Sequence, residues 1–421
     1  MLTDPARHRT ILHRPSYGAV RTDGPDGSRL RVLFVTEGFT DIRFVVGLSE
    51  IARVTMVVPR LAYESSGLKA RVAARAPTVD VHEIDGGRLT YQRRLLSSLW
   101  SASTTVDIVL SQELLRGSLN ATVVGALRSV PVVTTMAMPP VQYFRCRRER
   151  GEVGRLTALA GEAVIRGLMA VNGRLATRCL ALGPYLREVA GQVCRRTDSG
   201  YYYGVDVELF RPADAEQRRR ARHELGLPAD AFLVVFASRI SHEKDPETVL
   251  RAVARARSQG LNAVVLNLGG GYQAFLELAR RLDLRDSEVW ALGRPAADPM
   301  DGLADYFRAA DVLVQASLEE GLGLSPLEAL ACETPVVATA VGGMAAHLAP
   351  YATLTPRRDV QAMADALLAV AADPVHARER ARLGRAYVCR EWSRDKAFAE
   401  LRRVFEELVP VNGIHLARRA A

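Results

Sequence analysis

Cysteine is scarce in this sequence: Cys146, Cys179, Cys194, Cys332 and Cys389 are the five among 421 residues. They are odd in number, and no CxxC pair or Cys/His ligand spacing accompanies them. That excludes a disulfide framework and a zinc site as organising features and fits a reducing, cytoplasmic compartment. Long apolar runs are missing too. No stretch approaches the roughly 18 uncharged apolar residues that a membrane span needs. The opening residues MLTDPARHRTILHRPSYGAV place charges and prolines where a signal peptide carries an apolar core, so neither export nor a membrane span is expected. No GxGxxG follows the first strand-like run. Thr36-Glu37-Gly38-Phe39-Thr40-Asp41 stands there instead, which leaves a nicotinamide or flavin cofactor without support. The arginines are not interleaved with aromatics as in a stacking platform, and a nucleic-acid partner is set aside.

What is present is an ordinary globular composition, 48% hydrophobic and 24% charged, in a chain long enough for two domains. The formal charge of +9 comes from an arginine-rich bias. It favours anionic partners without choosing among nucleotides, lipid surfaces and nucleic acid.

Residues 1–28 are polar, rich in Gly, Pro and Arg and without periodicity, and read as an N-terminal tail. From there short β-branched runs alternate with helix-like segments. Strands are predicted over 31–35, 54–58, 106–110 and 130–135, with helices over 42–51 and 119–127. An arginine-dense segment over 143–155 leads into an apolar helical stretch reaching about 181, read as an insertion over the domain's face. The alternation resumes after Pro228, with strands over 232–236, 263–268, 288–292, 311–316 and 335–338 and helices between them. Alternating βα units make parallel sheets covered on both faces. The predicted fold class is therefore α/β, two doubly wound Rossmann-like domains facing a central cleft. The expected division is 29–205 for the first domain, 206–395 for the second, and 396–421 for a C-terminal helix crossing back to the first.

Ligands of such sheets bind beyond the carboxyl ends of the strands. The densest signal lies at such an end: Ser317-Leu-Glu-Glu320-Gly321-Leu322-Gly323-Leu324-Ser325-Pro326-Leu-Glu328. Two glycines let backbone N–H groups approach a ligand, and a helix starting near Pro326 presents its positive end to an anion. Ser325 to Glu328 also reads as a capping box, so for Glu328 structure and function stand at even odds. A second strand end carries Ser238-Arg239-Ile-Ser-His-Glu-Lys244-Asp245-Pro246. Asp245 caps the next helix, leaving Arg239 and Lys244 in the loop as two cations suited to a diphosphate. Taken singly, each reads as a surface ion pair with Glu243 or Asp245.

Together these segments resemble the retaining glycosyltransferases of GT-B fold, specifically the family 4 (group 1) type. The match rests on arginine and lysine five apart (Arg239, Lys244), the E-x7-E pair (Glu320, Glu328), Pro335 through Gly342-Gly343, and Gly204-Val205-Asp206 with Phe210-Arg-Pro212. The resemblance is dense in the second half and weak in the first. It implies that Arg239 and Lys244 hold the donor diphosphate, and that Glu320 with the backbone of Gly321, Leu322, Gly323, Leu324 and Ser325 holds the transferred sugar. Glu328 would take the ribose hydroxyls, the base would lie near Gly293 and Arg294, and Gly38 would approach the phosphates from the first domain. It further implies a metal-independent reaction in which Glu320, Arg239 and Lys244 are the catalytic set and no protein nucleophile is used. The partners implied are a nucleotide-sugar donor and a saccharide or small-molecule acceptor. Met136, standing where many members have histidine, and Arg145 and Arg147 would line the acceptor side. The cluster Arg145, Arg147, Arg148 and Arg150 fits an anionic acceptor, a weak lipid-surface contact or, as the preferred reading, a solvated charged stretch. Two other readings stay open: a non-hydrolysing sugar-nucleotide 2-epimerase, and a nucleotide-sugar binding protein without turnover.

Overall fold

The computed structural model describes residues 29–37, 40–149, 154–200, 203–285, 288–291 and 299–409. The tail over 1–28 lies outside the described residues. Two parallel sheets organise the rest. The first contains β1 (Arg31–Val35), β2 (Arg53–Pro59), β3 (Asp80–Ile84), β4 (Ile108–Ser111), β5 (Val132–Met136), β6 (Arg178–Ala181) and β7 (Thr197–Ser199), in the order β3-β2-β1-β4-β5-β6-β7. The second contains β8 (Phe232–Phe236), β9 (Ala263–Asn267), β10 (Val289–Ala291), β11 (Val312–Gln315), β12 (Val336–Thr339) and β13 (Thr353–Thr355), in the order β10-β9-β8-β11-β12-β13. Chain order reverses between β1 and β4 and again between β8 and β11, so the loops after these four strands line the crevices where such sheets bind ligands.

Each sheet is apolar on both faces because each face is covered. In β1, Leu33 and Val35 pack with Tyr91, Leu95 and Leu99 of helix Arg88–Ala102, while Val32 and Phe34 meet Phe44 and Leu48 of helix Ile42–Ile51. The second layer is completed from the far end of the chain. Helix Arg394–Leu408 lays Phe398, Leu401 and Phe405 into the same cluster, with the Phe398 ring stacked 6.1 Å from that of Phe44. Burying each of these side chains is worth about 2 kcal/mol, so the last helix belongs energetically to the first sheet.

Two chain segments cross where the sheets meet. Val205 pairs with Ser393: the Val205 N–H donates to Trp392 O at 2.8 Å and the Arg394 N–H to Val205 O at 2.9 Å. Gly204 turns into this pairing with φ +68°, and a Cβ there would stand 2.5 Å from Arg394 Cα, so the position accepts only glycine without rearrangement.

The segment after β5 departs from the sequence expectation. It is the ordinary crossover to β6, built from helices Pro140–Glu149 and Arg155–Leu175, and the apolar stretch ends as strand β6 rather than as helix. The helix stops because Ala176 turns to extended backbone, after which Arg178–Ala181 pairs with β5.

Candidate functional site

Strand β8 delivers its loop to the cleft through a one-turn 3-10 helix, His242–Lys244, closed by Asp245 in the left-handed region at φ 44°. Asp245 then caps helix Pro246–Ser258, its carboxylate accepting from the Thr248 N–H, with proline in the first turn. Capping occupies Asp245, so Lys244 turns elsewhere: its Nζ lies 2.5 Å from Glu320 Oε2. The same carboxylate oxygen accepts from Ser317 Oγ at 3.2 Å and Gln315 Nε2 at 3.3 Å. Both loops are also tied through the backbone, the Leu318 N–H donating to Glu243 O at 2.8 Å. Arg239, the other predicted cation, reaches Glu243 Oε1 at 2.9 Å and keeps an exposed guanidinium. Tyr143 of helix Pro140–Glu149 donates to the same Oε1 at 3.2 Å. A cavity of 340 Å³ opens between them, lined by Tyr143, Cys146 and residues 239–243. Arg239 and Lys244 therefore flank one loop, but the ion pairs they make are with different glutamates.

The glycine loop lies across the domain boundary. Gly321 abuts the first domain so closely that a Cβ would stand 2.5 Å from Ala137 O. Leu322 is buried, with its carbonyl 2.8 Å from His347 Nε2, a loop contact for that histidine. Gly323 at φ 87° is the N-cap of helix Leu324–Ala331, and Ser325 sits inside the first turn, donating its hydroxyl to Ala237 O at 3.3 Å. The capping box expected of Ser325 and Glu328 is thus not formed, because the helix begins earlier than Pro326 suggested. Glu328 falls in the second turn, buried, and meets Arg43 Nη1 at 2.5 Å. Burial pushes its carboxyl above the usual range while Arg43 opposes that rise.

Arg43 comes from the first domain. Its guanidinium also holds both Asp41 oxygens at 3.0 Å, donates to Tyr203 Oη at 3.1 Å and lies 4.2 Å over the Tyr203 ring centre. Burial works against its charge, yet Tyr203, Asp41 and Glu328 more than offset that.

On the acceptor side the placements differ from the sequence expectation. Met136 ends β5 fully buried in the apolar core, so it offers no surface to an acceptor here. Arg145 points to helix Arg155–Leu175, with Nη2 and Nε 2.6 and 3.0 Å from the two Glu162 oxygens. Arg147 lies on helix Pro140–Glu149, but its side chain is outside the described set. Gly38, Gly293 and Arg294 also fall outside the described residues.

Sequence reasoning missed Glu113. Two residues beyond β4, it holds φ 69°, its N–H donates to Thr135 Oγ1 at 3.0 Å, and burial raises its carboxyl to about 7, opposed by the Ala137 N–H. Ala137 is the residue whose carbonyl meets Gly321, so this carboxyl lies at the domain boundary beside the glycine loop. The one available signal was its position just after a strand's carboxyl end. The raised value has a defined consequence for stability. A carboxyl titrating near 7 when folded and near 4.5 when unfolded stabilises the fold fully below pH 4.5, and that contribution is lost as pH rises to 7. Glu113→Gln should therefore raise stability at pH 8 by about 3 kcal/mol and flatten the fall between pH 5 and 8. Urea midpoints across that range check it, and an unchanged pH slope would contradict it.

Two facing doubly wound sheets are shared with solved structures of GT-B architecture. Anabaena HepE, solved in complex with UDP-glucose, superimposes with TM-score 0.72 at 17% identity, covering 90% of this chain and 100% of that one. WaaG, a glycosyltransferase involved in lipopolysaccharide biosynthesis, gives 0.66 at 14% identity, covering 90% and 100%. The fold is GT-B. Residues 217–387 match the family described as glycosyl transferases group 1. D-inositol 3-phosphate glycosyltransferase 1 of Catenulispora acidiphila is 32% identical over 316 residues, 72% of this chain and 73% of that protein. The D-inositol 3-phosphate glycosyltransferase of Kribbella flavida is 42% identical over 184 residues, 41% of this chain and 42% of the relative's length. The chain belongs to the glycosyltransferase group 1 family.

Proposed function

We propose that the protein is a retaining, metal-independent glycosyltransferase of the family 4 type, transferring a sugar from a nucleoside diphosphate donor to a small-molecule or saccharide acceptor in the cytoplasm. The Lys244–Glu320 pair carries this reading. An ammonium and a carboxylate that pair with each other across the two loops have two complementary groups to exchange for: a diphosphate oxygen for Lys244 and sugar hydroxyls for Glu320. The exposed Arg239 guanidinium adds a second charge for the diphosphate. As the bond from the anomeric carbon to the diphosphate oxygen breaks, charge grows on that oxygen, and two cations aimed at it lower the barrier. The acceptor oxygen then bonds to the same face of the anomeric carbon, and its proton passes to the departing phosphate oxygen. No residue need act as nucleophile.

Neighbours and relatives guide the choice of compounds. HepE binds UDP-glucose, and the relatives are named for D-inositol 3-phosphate. Melting temperature with UDP-, GDP-, ADP- and dTDP-sugars, with and without a divalent cation, should select one nucleotide class. Stabilisation should not depend on the cation. Product formed on D-inositol 3-phosphate or other polyol acceptors should show by NMR the donor's anomeric configuration. Inverted product, or turnover abolished by a chelator, would refute the mechanism.

A further inference from the structure

The positive charge of this protein is concentrated in one layer. Helices Arg88–Ala102, Arg116–Arg128, Arg155–Leu175 and Pro140–Glu149, in that order, pack each against the next along one side of the first domain. They contain eleven arginines and no lysine against two acidic residues, Glu149 and Glu162, an excess of nine where the whole chain has +9. The same layer carries the apolar surface. Of thirteen exposed large hydrophobic side chains among the described residues, nine lie on these helices.

Their placement is ordered. On helix Arg88–Ala102 the residues Leu89, Arg93, Leu96 and Trp100 recur at helical spacing on the face opposite the buried Tyr91, Leu95 and Leu99. Leu89 is 83% exposed and Trp100 48%. On helix Arg155–Leu175 the exposed Leu156, Leu159, Val164, Val171 and Leu175 face away from the buried Ala158, Met169 and Asn172. Among the described residues no helix is long and apolar enough to cross a membrane.

We propose that this face docks on an anionic lipid surface. Leucines and a tryptophan enter the boundary between headgroups and acyl chains, while the interspersed arginines meet the headgroup charge. A second copy of the chain would set like charge against like charge across the contact. A nucleic acid would leave the leucines without a partner. Arg145 is the lesser part of the surface, since Glu162 holds it. Helix Pro140–Glu149 joins this face to the cleft: it packs on helix Arg155–Leu175, and its Tyr143 and Cys146 line the interdomain cavity. Docking thus brings the cavity mouth to the bilayer.

The test is co-sedimentation of the full chain with vesicles of phosphatidylcholine alone or mixed with phosphatidylglycerol. Sedimentation is expected only with the anionic vesicles and should be reversed by high salt. Trp100 emission should move to shorter wavelength on binding, a shift absent in Trp100→Phe. Leu156→Ser with Leu159→Ser, and Arg93→Gln with Arg174→Gln, should each lower vesicle affinity about tenfold. These side chains are exposed, so melting temperature should not change. Three results would overturn the proposal. The first is protein left in the supernatant with anionic vesicles. The second is binding with Trp100 emission unmoved and the leucine variant unimpaired. The third is loss of self-association on the leucine substitutions in a protein that ignores vesicles, which would assign the face to a second copy.

Discussion

Lys244→Ala should lower kcat/KM for donor turnover by about 10²–10³, the loss that follows removal of one preorganised group from a developing oxyanion. The melting temperature should hardly move. Glu320 keeps its hydrogen bonds to Ser317 and Gln315, and its side chain remains partly open to solvent, so the orphaned carboxylate is not trapped in a dry interior. Lys244→Arg is not expected to rescue. The sequence holds three lysines in all, Lys69, Lys244 and Lys396, against a large excess of arginine, and this one occupies a site where a compact ammonium lies 2.5 Å from a single carboxylate oxygen. A planar guanidinium would need a wider seat. Steady-state kinetics with the donor selected by thermal shift, run on all three proteins, give the answer. Wild-type turnover in the alanine variant would remove Lys244 from the diphosphate site.

The second half of the chain was legible because its signals are local. Strand β8 is a five-residue apolar run, and the loop after it ends in Asp245-Pro246, a cap and a first-turn proline whose geometry depends on no distant residue. At both edges of the first sheet the signal fades. Strand β3 reads Asp-Val-His-Glu-Ile and β7 Thr-Asp-Ser, both half-exposed, and neither has the apolar run that announces a buried strand. Strand β6 is buried but follows an apolar helix after only two residues, so composition alone could not separate them. At the candidate site, reading each cation singly offered near neighbours as partners, which holds for Arg239 with Glu243 but not for Lys244. Lys244 pairs across 76 positions with Glu320, and Glu328 across 285 with Arg43. Such partners are chosen by the approach of two domains, for which no spacing rule exists. Glu113 escaped notice for a related reason, since a left-handed backbone and a dry carboxyl are properties of the packed loop.

Removing Arg43 should be the most destabilising single change in the site. Glu328 is buried in the helix that follows the glycine loop, and Arg43 is the cation that meets it. Without that partner a desolvated carboxylate must either remain charged or take up a proton, and breaking a buried pair from one side costs roughly 3–5 kcal/mol. Glu328→Gln should cost much less, because Arg43 keeps Asp41 and Tyr203 as partners. This asymmetry separates a shared ion pair from a generic packing defect. Replacing both residues by methionine should restore stability to within about 1 kcal/mol of wild type, as dry pairs replaced on both sides commonly do. The same double variant should lose donor affinity, since Glu328 is proposed to take the ribose hydroxyls. Urea midpoints and nucleotide-induced melting shifts on the four proteins decide the matter. A double variant whose loss equals the sum of the two single losses would show that the two side chains are not coupled. A double variant that still binds nucleotide like wild type would place the ribose elsewhere.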